Sequence, residues 1–303
     1  MHVEGPLLKF SRPSDNALQN LEKGQLFCQH YAAYNDPFEF WTTISSGIPD
    51  PDREPERYLA ALRAWGFHCR TVAEARSDPL IQESVDDYFD ECQSYAPPFE
   101  EMRQQMRISC FGAEADSLLM WSHYGDGLRG FCIAFDEDAI MGEGGGSYVL
   151  DVAYLNKPPR VDSLIYGVAW DQEWYSDVAI EEAGHAARAE GRILRPDEVT
   201  MYEEAGAEAL RTMREIWQHV FATKPAEWRY ERERRLLVQT DMDDTRPLLR
   251  GYDRAAVREV IVGERMPEDY RARLIAVVRE HYPDAPVRTA SRAAGVYSLS
   301  IDS

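Results

Sequence analysis

Short apolar runs and helix-spaced apolar positions take turns along this chain. Leu7-Leu8-Lys9-Phe10 is an apolar-rich run that Pro13-Ser14-Asp15 breaks, which predicts a strand and then a capped helix start. Leu18 and Leu21 sit at helix spacing and Gly24 supplies the stop. A second strand is expected over Leu26-Phe27-Cys28-Gln29-His30-Tyr31, followed by a turn at Asn35-Asp36-Pro37. From Asp52 to about Arg107 the pattern is charged and helical, with Tyr58, Leu62 and Trp65, then Val85, Tyr88 and Phe89, on common faces.

The middle of the chain predicts a strand over Met106–Phe111, a short capped helix over Asp116–Tyr124 and a strand over Phe131–Phe135. The glycine-rich stretch Gly142–Gly146 reads as a hairpin loop before a strand over Tyr148–Tyr154. Asp171 to Phe221 is mostly helical in pattern. Strands follow over Trp228–Val238 and Val257–Val262, then a helix over Glu268–His281 and a last strand over Val296–Ile301. Strands and helices are both abundant without strict βαβ alternation, so the expected class is α+β with a mixed or antiparallel central sheet. No repeat or low-complexity linker interrupts it. A single domain over 1–303 is expected, with a helical insert at about 52–105 and another helical stretch at about 171–222.

Composition narrows the function. Lys plus Arg number 33 against 53 for Asp plus Glu, a net charge of −20, which argues against broad nucleic-acid binding because that requires a cationic footprint. No apolar run approaches the roughly 18 residues of a membrane helix, and Met1 to Lys9 has no signal-peptide pattern. Five widely spaced cysteines without Cys-x-x-Cys fit reduced thiols, and a cytoplasmic setting is expected. The chain lacks a P-loop, a His-Glu-x-x-His helix and a Gly-x-Ser-x-Gly elbow.

Three constellations carry candidate chemistry. In Trp228-Arg229-Tyr230-Glu231-Arg232-Glu233-Arg234-Arg235, Glu231 and Glu233 would share one face of a strand. Such a pair can stabilise a developing cation while one member handles a proton, or it can simply pair with the neighbouring arginines. In Trp121-Ser122-His123-Tyr124, Trp121 and Tyr124 are three apart on a helix and could stack a planar ring or fill a core. Arg129 just beyond could meet a phosphate. The third is Asn35-Asp36 before Pro37, which favours a tight turn, and Lys9 is a lone cation in the first strand.

Leu8-Lys9-Phe10, the stretch from Gly24-Gln25-Leu26-Phe27 to Tyr34-Asn35-Asp36-Pro37-Phe38, Ile108-Ser109-Cys110-Phe111, Leu119–Tyr124, Arg129–Phe135, Lys224, Trp228, Tyr230-Glu231-x-Glu233-x-Arg235 and Val260–Gly263 occur in one order. In that order they resemble a bacterial family known as domain of unknown function 2971, over nearly the whole chain. That family often has a histidine where this chain has Leu128. The layout is also similar, more distantly, to ADP-ribosyltransferases. That resemblance implies an ADP-ribosyltransferase-like sheet and NAD as donor substrate without a metal. Glu233 would be the catalytic carboxylate and Glu231 would position an unknown acceptor. Lys9, Tyr31, Asn35, Asp36, Trp121, Tyr124 and Arg129 would hold the dinucleotide. The expected activity is ADP-ribosyl transfer or NAD hydrolysis, in a defence or toxin setting that the kind of family implies. A non-enzymatic nucleotide-sensing or interaction module, and a metal-dependent phosphodiesterase or nuclease using Asp36, Lys224, Glu231 and Glu233, are the alternatives.

Overall fold

The computed structural model describes residues 5–142 and 146–302; the centre of the expected glycine-rich hairpin loop, residues 143–145, lies outside them. The protein is mixed α/β with a mixed sheet. It groups into two compact units, each discontinuous in sequence. The first comprises Met1–Phe40, Glu101–Lys157 and Ala222–Ser303, and the second Trp41–Glu100 and Pro158–Phe221. Most residues of the two helical stretches expected at 52–105 and 171–222 belong to the second unit.

The first unit is built on a five-stranded sheet in the order Leu7–Ser11, Phe131–Phe135, Val257–Gly263, Val287–Arg292, Leu299–Asp302. Val257–Gly263 and Val287–Arg292 run parallel, and the other neighbours are antiparallel. Alternation along the strands divides the side chains between two faces. Leu7, Phe131, Ile133, Phe135, Val260 and Val262 pack with Leu18 and Leu21 of helix Asp15–Lys23 and with Tyr270, Leu274 and Val278 of helix Glu268–His281. Leu8, Phe10, Cys132, Ala134 and Ile261 pack with Met120 and Trp121 of helix Leu118–His123.

Helix Asp15–Lys23 begins and ends as its residues dictate. Ser14 Oγ accepts from the Ala17 amide, and Gly24 closes the last turn at a φ of 66°. At Gly130 the chain passes so near its neighbour that a Cβ would lie 2.0 Å from the Ser11 carbonyl oxygen, so only glycine fits there. Three further strands, Met106–Phe111, Arg234–Gln239 and Ser147–Asp151, form an antiparallel sheet with Arg234–Gln239 in the centre.

In the second unit, helices Pro55–Ala64, Val72–Ser77, Pro79–Ser94 and Ser163–Ala189 bury Tyr58, Leu62, Ile81, Val85, Phe89, Leu164 and Val168 together. Thr200–Phe221 packs along Ser163–Ala189 through Met213 and Ala209 against Ala169. Where Ser163–Ala189 crosses Pro79–Ser94, close approach again requires glycine, because a Cβ on Gly167 would sit 2.0 Å from the Cys92 carbonyl oxygen.

Four expected strands are corrected. The strand expected over Leu26–Tyr31 ends at Cys28, because His30 instead caps a 3-10 turn over Tyr31–Ala33, its Nδ1 accepting from the Ala32 amide. The strand expected over Trp228–Val238 is a 3-10 turn over Ala226–Glu231, then Arg232 in the left-handed region at a φ of 42°, and only then strand Arg234–Gln239. The strand expected over Tyr148–Tyr154 is two, Ser147–Asp151 and Ala153–Leu155, and the last strand, expected over Val296–Ile301, begins at Leu299. The short strands Thr43–Ser45, Arg160–Asp162, Thr223–Pro225 and Leu248–Gly251 were not signalled, each being three or four residues long, and neither was the six-residue Val287–Arg292 of the main sheet.

Candidate functional site

The turn over Ala226–Glu231 and the strand that follows deliver a buried charged network within the first unit. Lys224 lies on strand Thr223–Pro225, directly opposite Tyr154 in a parallel pairing with Ala153–Leu155. Its Nζ donates to Glu231 Oε2 at 2.6 Å and also meets Glu233 Oε2. Arg235, one position into the central strand and opposite Cys110 and Leu150, donates from Nε to Glu233 Oε1 at 2.7 Å. Its two terminal nitrogens reach Glu39 Oε1 and Oε2 at 2.6 and 2.9 Å, a bidentate pair. Glu231 also accepts from the Tyr124 hydroxyl at 2.5 Å, and the Glu233 amide donates to the Tyr154 hydroxyl at 2.7 Å.

Glu231 and Glu233 therefore do not share a strand face, as the alternation suggested. They converge on one ammonium because left-handed Arg232 turns the chain between them, leaving its own side chain exposed. All five charged members, Glu39, Lys224, Glu231, Glu233 and Arg235, are buried. Burial alone would neutralise carboxylates. Against that cost, Arg235 and then Lys224 hold the Glu233 carboxyl well below the usual range. Burial prevails at Glu231, whose carboxyl is raised despite Lys224 and Tyr124, and at Glu39, raised despite Arg235. Burial likewise works against the Lys224 ammonium, but Glu233 beside it raises its proton affinity. The half-buried Cys110 thiol donates to the Tyr34 hydroxyl at 3.4 Å; burial, then Glu233, pushes it up to about 12. A carboxylate and a second carboxyl of opposite tendency on one lysine can stabilise positive charge and handle a proton.

The other expected site residues have different partners. Trp121 is fully buried, donates from Nε1 to the Ala115 carbonyl at 2.7 Å and meets Phe10 edge-on, so its ring belongs to the core rather than to a stacking face. Tyr124 packs its ring against the same apolar cluster and sends its hydroxyl to Glu231. Arg129 is partly exposed and donates to the Asp126 carbonyl at 3.1 Å. The hydroxyl of Tyr31 accepts from Gln104 Nε2 at 2.8 Å while its ring stacks on Phe40. Asn35 is exposed; Asp36 is buried, and its Oδ1 accepts from the Phe38 amide at 2.9 Å in the turn that Pro37 favours. Lys9 donates to Ser109 Oγ and to the Cys110 carbonyl at 2.9 and 3.0 Å. Leu128, where the resembled family often has histidine, is buried at a φ of 68° and its carbonyl accepts from the Arg265 amide.

Glu39, Tyr154, Cys110 and Tyr34 were not identified as members of the site. Glu39 stands one residue beyond the Asn35–Phe38 motif, and nothing local marks its pairing with Arg235, 196 positions away. Among the described residues no three His, Cys, Asp or Glu side chains gather as a metal site would, and the Lys224 ammonium already occupies the space between Glu231 and Glu233. No helix among them is long and apolar enough to cross a membrane.

No curated protein and no solved structure matches the chain, and nothing in these comparisons supports the likeness to ADP-ribosyltransferases. The likeness to the family is also narrower than the ordered blocks imply: residues 120–236, with Trp121, Tyr124, Lys224, Glu231, Glu233 and Arg235 among them, match a family described as a protein of unknown function, DUF2971.

Proposed function

We propose that Glu231 and Glu233 form the working pair of a glycosyl-transfer site that takes a nicotinamide dinucleotide as donor. The observation that carries the reading is their convergence on Lys224. Two oxygens on one nitrogen lie within about 6 Å of each other, the length of two hydrogen bonds. In this reading the ionised Glu233 faces the ribose C1′ as its bond to the nicotinamide nitrogen breaks, with the electron pair leaving on nicotinamide. An acceptor oxygen bonds to C1′ and passes its proton to Glu231, whose raised proton affinity suits that task. Trp228, half-buried with Lys224 Nζ 5.4 Å from its ring centroid, replaces Trp121 as the ring beside the donor.

The test is nicotinamide release by the pure protein, with and without cell lysate to supply an acceptor. Release is expected from the wild type, with a loss of about 100-fold or more in Glu233→Gln, as when a charge-stabilising group is removed. Tyr124→Phe, which keeps the ion network, is expected to shift the basic group in the pH–rate profile upward. A folded wild type that releases no nicotinamide under either condition overturns the reading. A second reading, a nucleotide-sensing module without turnover, is favoured by one observation: each network charge already has an opposite partner. Dinucleotide binding with no loss of ligand over hours identifies it.

A further inference from the structure

A second candidate ligand site lies elsewhere in the first unit, between the five-stranded sheet and helix Asp15–Lys23. It is a cavity of about 330 Å³, within the range of small-molecule clefts. Its apolar lining is Leu21, Phe131, Ile133 and Phe135, all buried in the core, with the partly exposed rings of Phe27 and Tyr252 beside them. Phe131, Ile133 and Phe135 share one sheet face, and Lys9 and Ser11 stand opposite Ile133 and Phe131 in the adjoining strand.

The rim is polar, and its chemistry differs from the rest of the molecule. Asn16 and Asn20 lie four apart on one helix face, and Gln25 follows the glycine that ends the helix. With Ser11 they give three carboxamides and a hydroxyl whose side chains make no hydrogen bond among the described residues. Among the described residues no acidic side chain lines the cavity, although the chain carries 53 of them, and Lys9 is the one charged residue. Its ammonium lies 5.4 Å from the centre of the Phe111 ring, and two of its three hydrogens go to Ser109 and Cys110, leaving the third for an acceptor.

From this combination we infer that the cavity binds a nucleoside monophosphate. The accessible rings of Phe27 and Tyr252 offer a stacking surface to a nucleobase. Carboxamides match base edges because each presents a donor and an acceptor together. The unspent Lys9 hydrogen suits a phosphate oxygen, and an acid-free lining avoids repelling it. The inference does not depend on the reading of Glu231 and Glu233, since its readout is binding of a nucleotide without nicotinamide.

Titration calorimetry of the full chain with AMP and adenosine tests it. AMP is expected to bind, and adenosine about tenfold more weakly for want of the phosphate contact. Asn20→Leu and Gln25→Leu, each checked for native circular dichroism, are expected to weaken AMP binding by about tenfold or more. The inference is overturned if AMP gives no binding heat up to about 10 mM, beyond the weak end of useful affinities. It is equally overturned if AMP binds both folded variants as tightly as the wild type, because the nucleotide then sits elsewhere.

Discussion

Around Lys224 and Arg235 the polar groups are charged, buried and all paired; around the cavity beneath helix Asp15–Lys23 they are mostly neutral, partly exposed and mostly unpaired. Both regions belong to one unit, yet they hold their polar side chains for different reasons. A buried charge left without its partner is strongly destabilising, so each member of the network fixes the next. A carboxamide at a half-open rim has water as an alternative partner, and its loss does little to the fold. Removing a network residue therefore tests stability first and chemistry second, whereas removing a rim residue tests ligand binding almost alone.

The largest effect expected from this contrast is at Arg235. Replacing it with methionine keeps much of the volume but leaves Glu39 and Glu233 facing each other in a buried space. Breaking such an arrangement costs about 3–5 kcal/mol, measurable as a lower midpoint in denaturant at constant slope. A cost below about 1 kcal/mol, the value of an exposed pair, would mean the network is open to water and would erase the comparison.

Next comes the acid limb of stability. The unfolded chain binds more protons than a native Glu233 held low, so stability rises with pH through that window and is lost as pH falls below about 4.3, the ordinary glutamate value. Glu233→Gln should lie lower overall and be flatter on the acid side. Glu231 acts with the opposite sign. Its raised carboxyl contributes stability that is present below about 4.3 and is lost as pH rises through the folded value. Denaturant midpoints measured across pH for the two variants should therefore flatten on opposite sides. Parallel curves for both would show that the two carboxyls share one environment.

Tyr124→Phe is expected to cost about 1.5–3 kcal/mol, the value of a hydrogen bond to a charged acceptor. This residue also shows what the sequence could reveal. Three-residue spacing placed Trp121 and Tyr124 on one helix side, and both rings do meet one apolar cluster, but spacing cannot tell a core face from a ligand face. Trp121 enters the apolar layer with Phe10, and Tyr124 sends its hydroxyl to Glu231. The sheet strands Leu7–Ser11 and Phe131–Phe135, a helix start capped at Ser14 or Asp15 and the Gly24 stop were legible, because pleat and capping act within a few residues. Glu231 and Glu233 were singled out by residue type, but their alternation imitated a strand where a 3-10 turn and a left-handed arginine stand instead. Glu39 was not legible, since its position in the network is set by sheet pairing distant in sequence.

The smallest effect distinguishes the two regions most sharply. Asn20 sits in the last turns of helix Asp15–Lys23, half-buried, with no side-chain hydrogen bond among the described residues. Leucine is the better helix former by a few tenths of a kcal/mol, and no buried partner is left unsatisfied when the carboxamide goes. Asn20→Leu is therefore expected to raise unfolding stability by about 0.3–0.5 kcal/mol while it weakens AMP binding. A residue whose removal improves the fold and damages binding is kept for the ligand rather than for the fold. If denaturant titration instead shows a loss above about 1 kcal/mol, typical of a structural hydrogen bond, Asn20 has a structural partner and the rim would resemble the network after all.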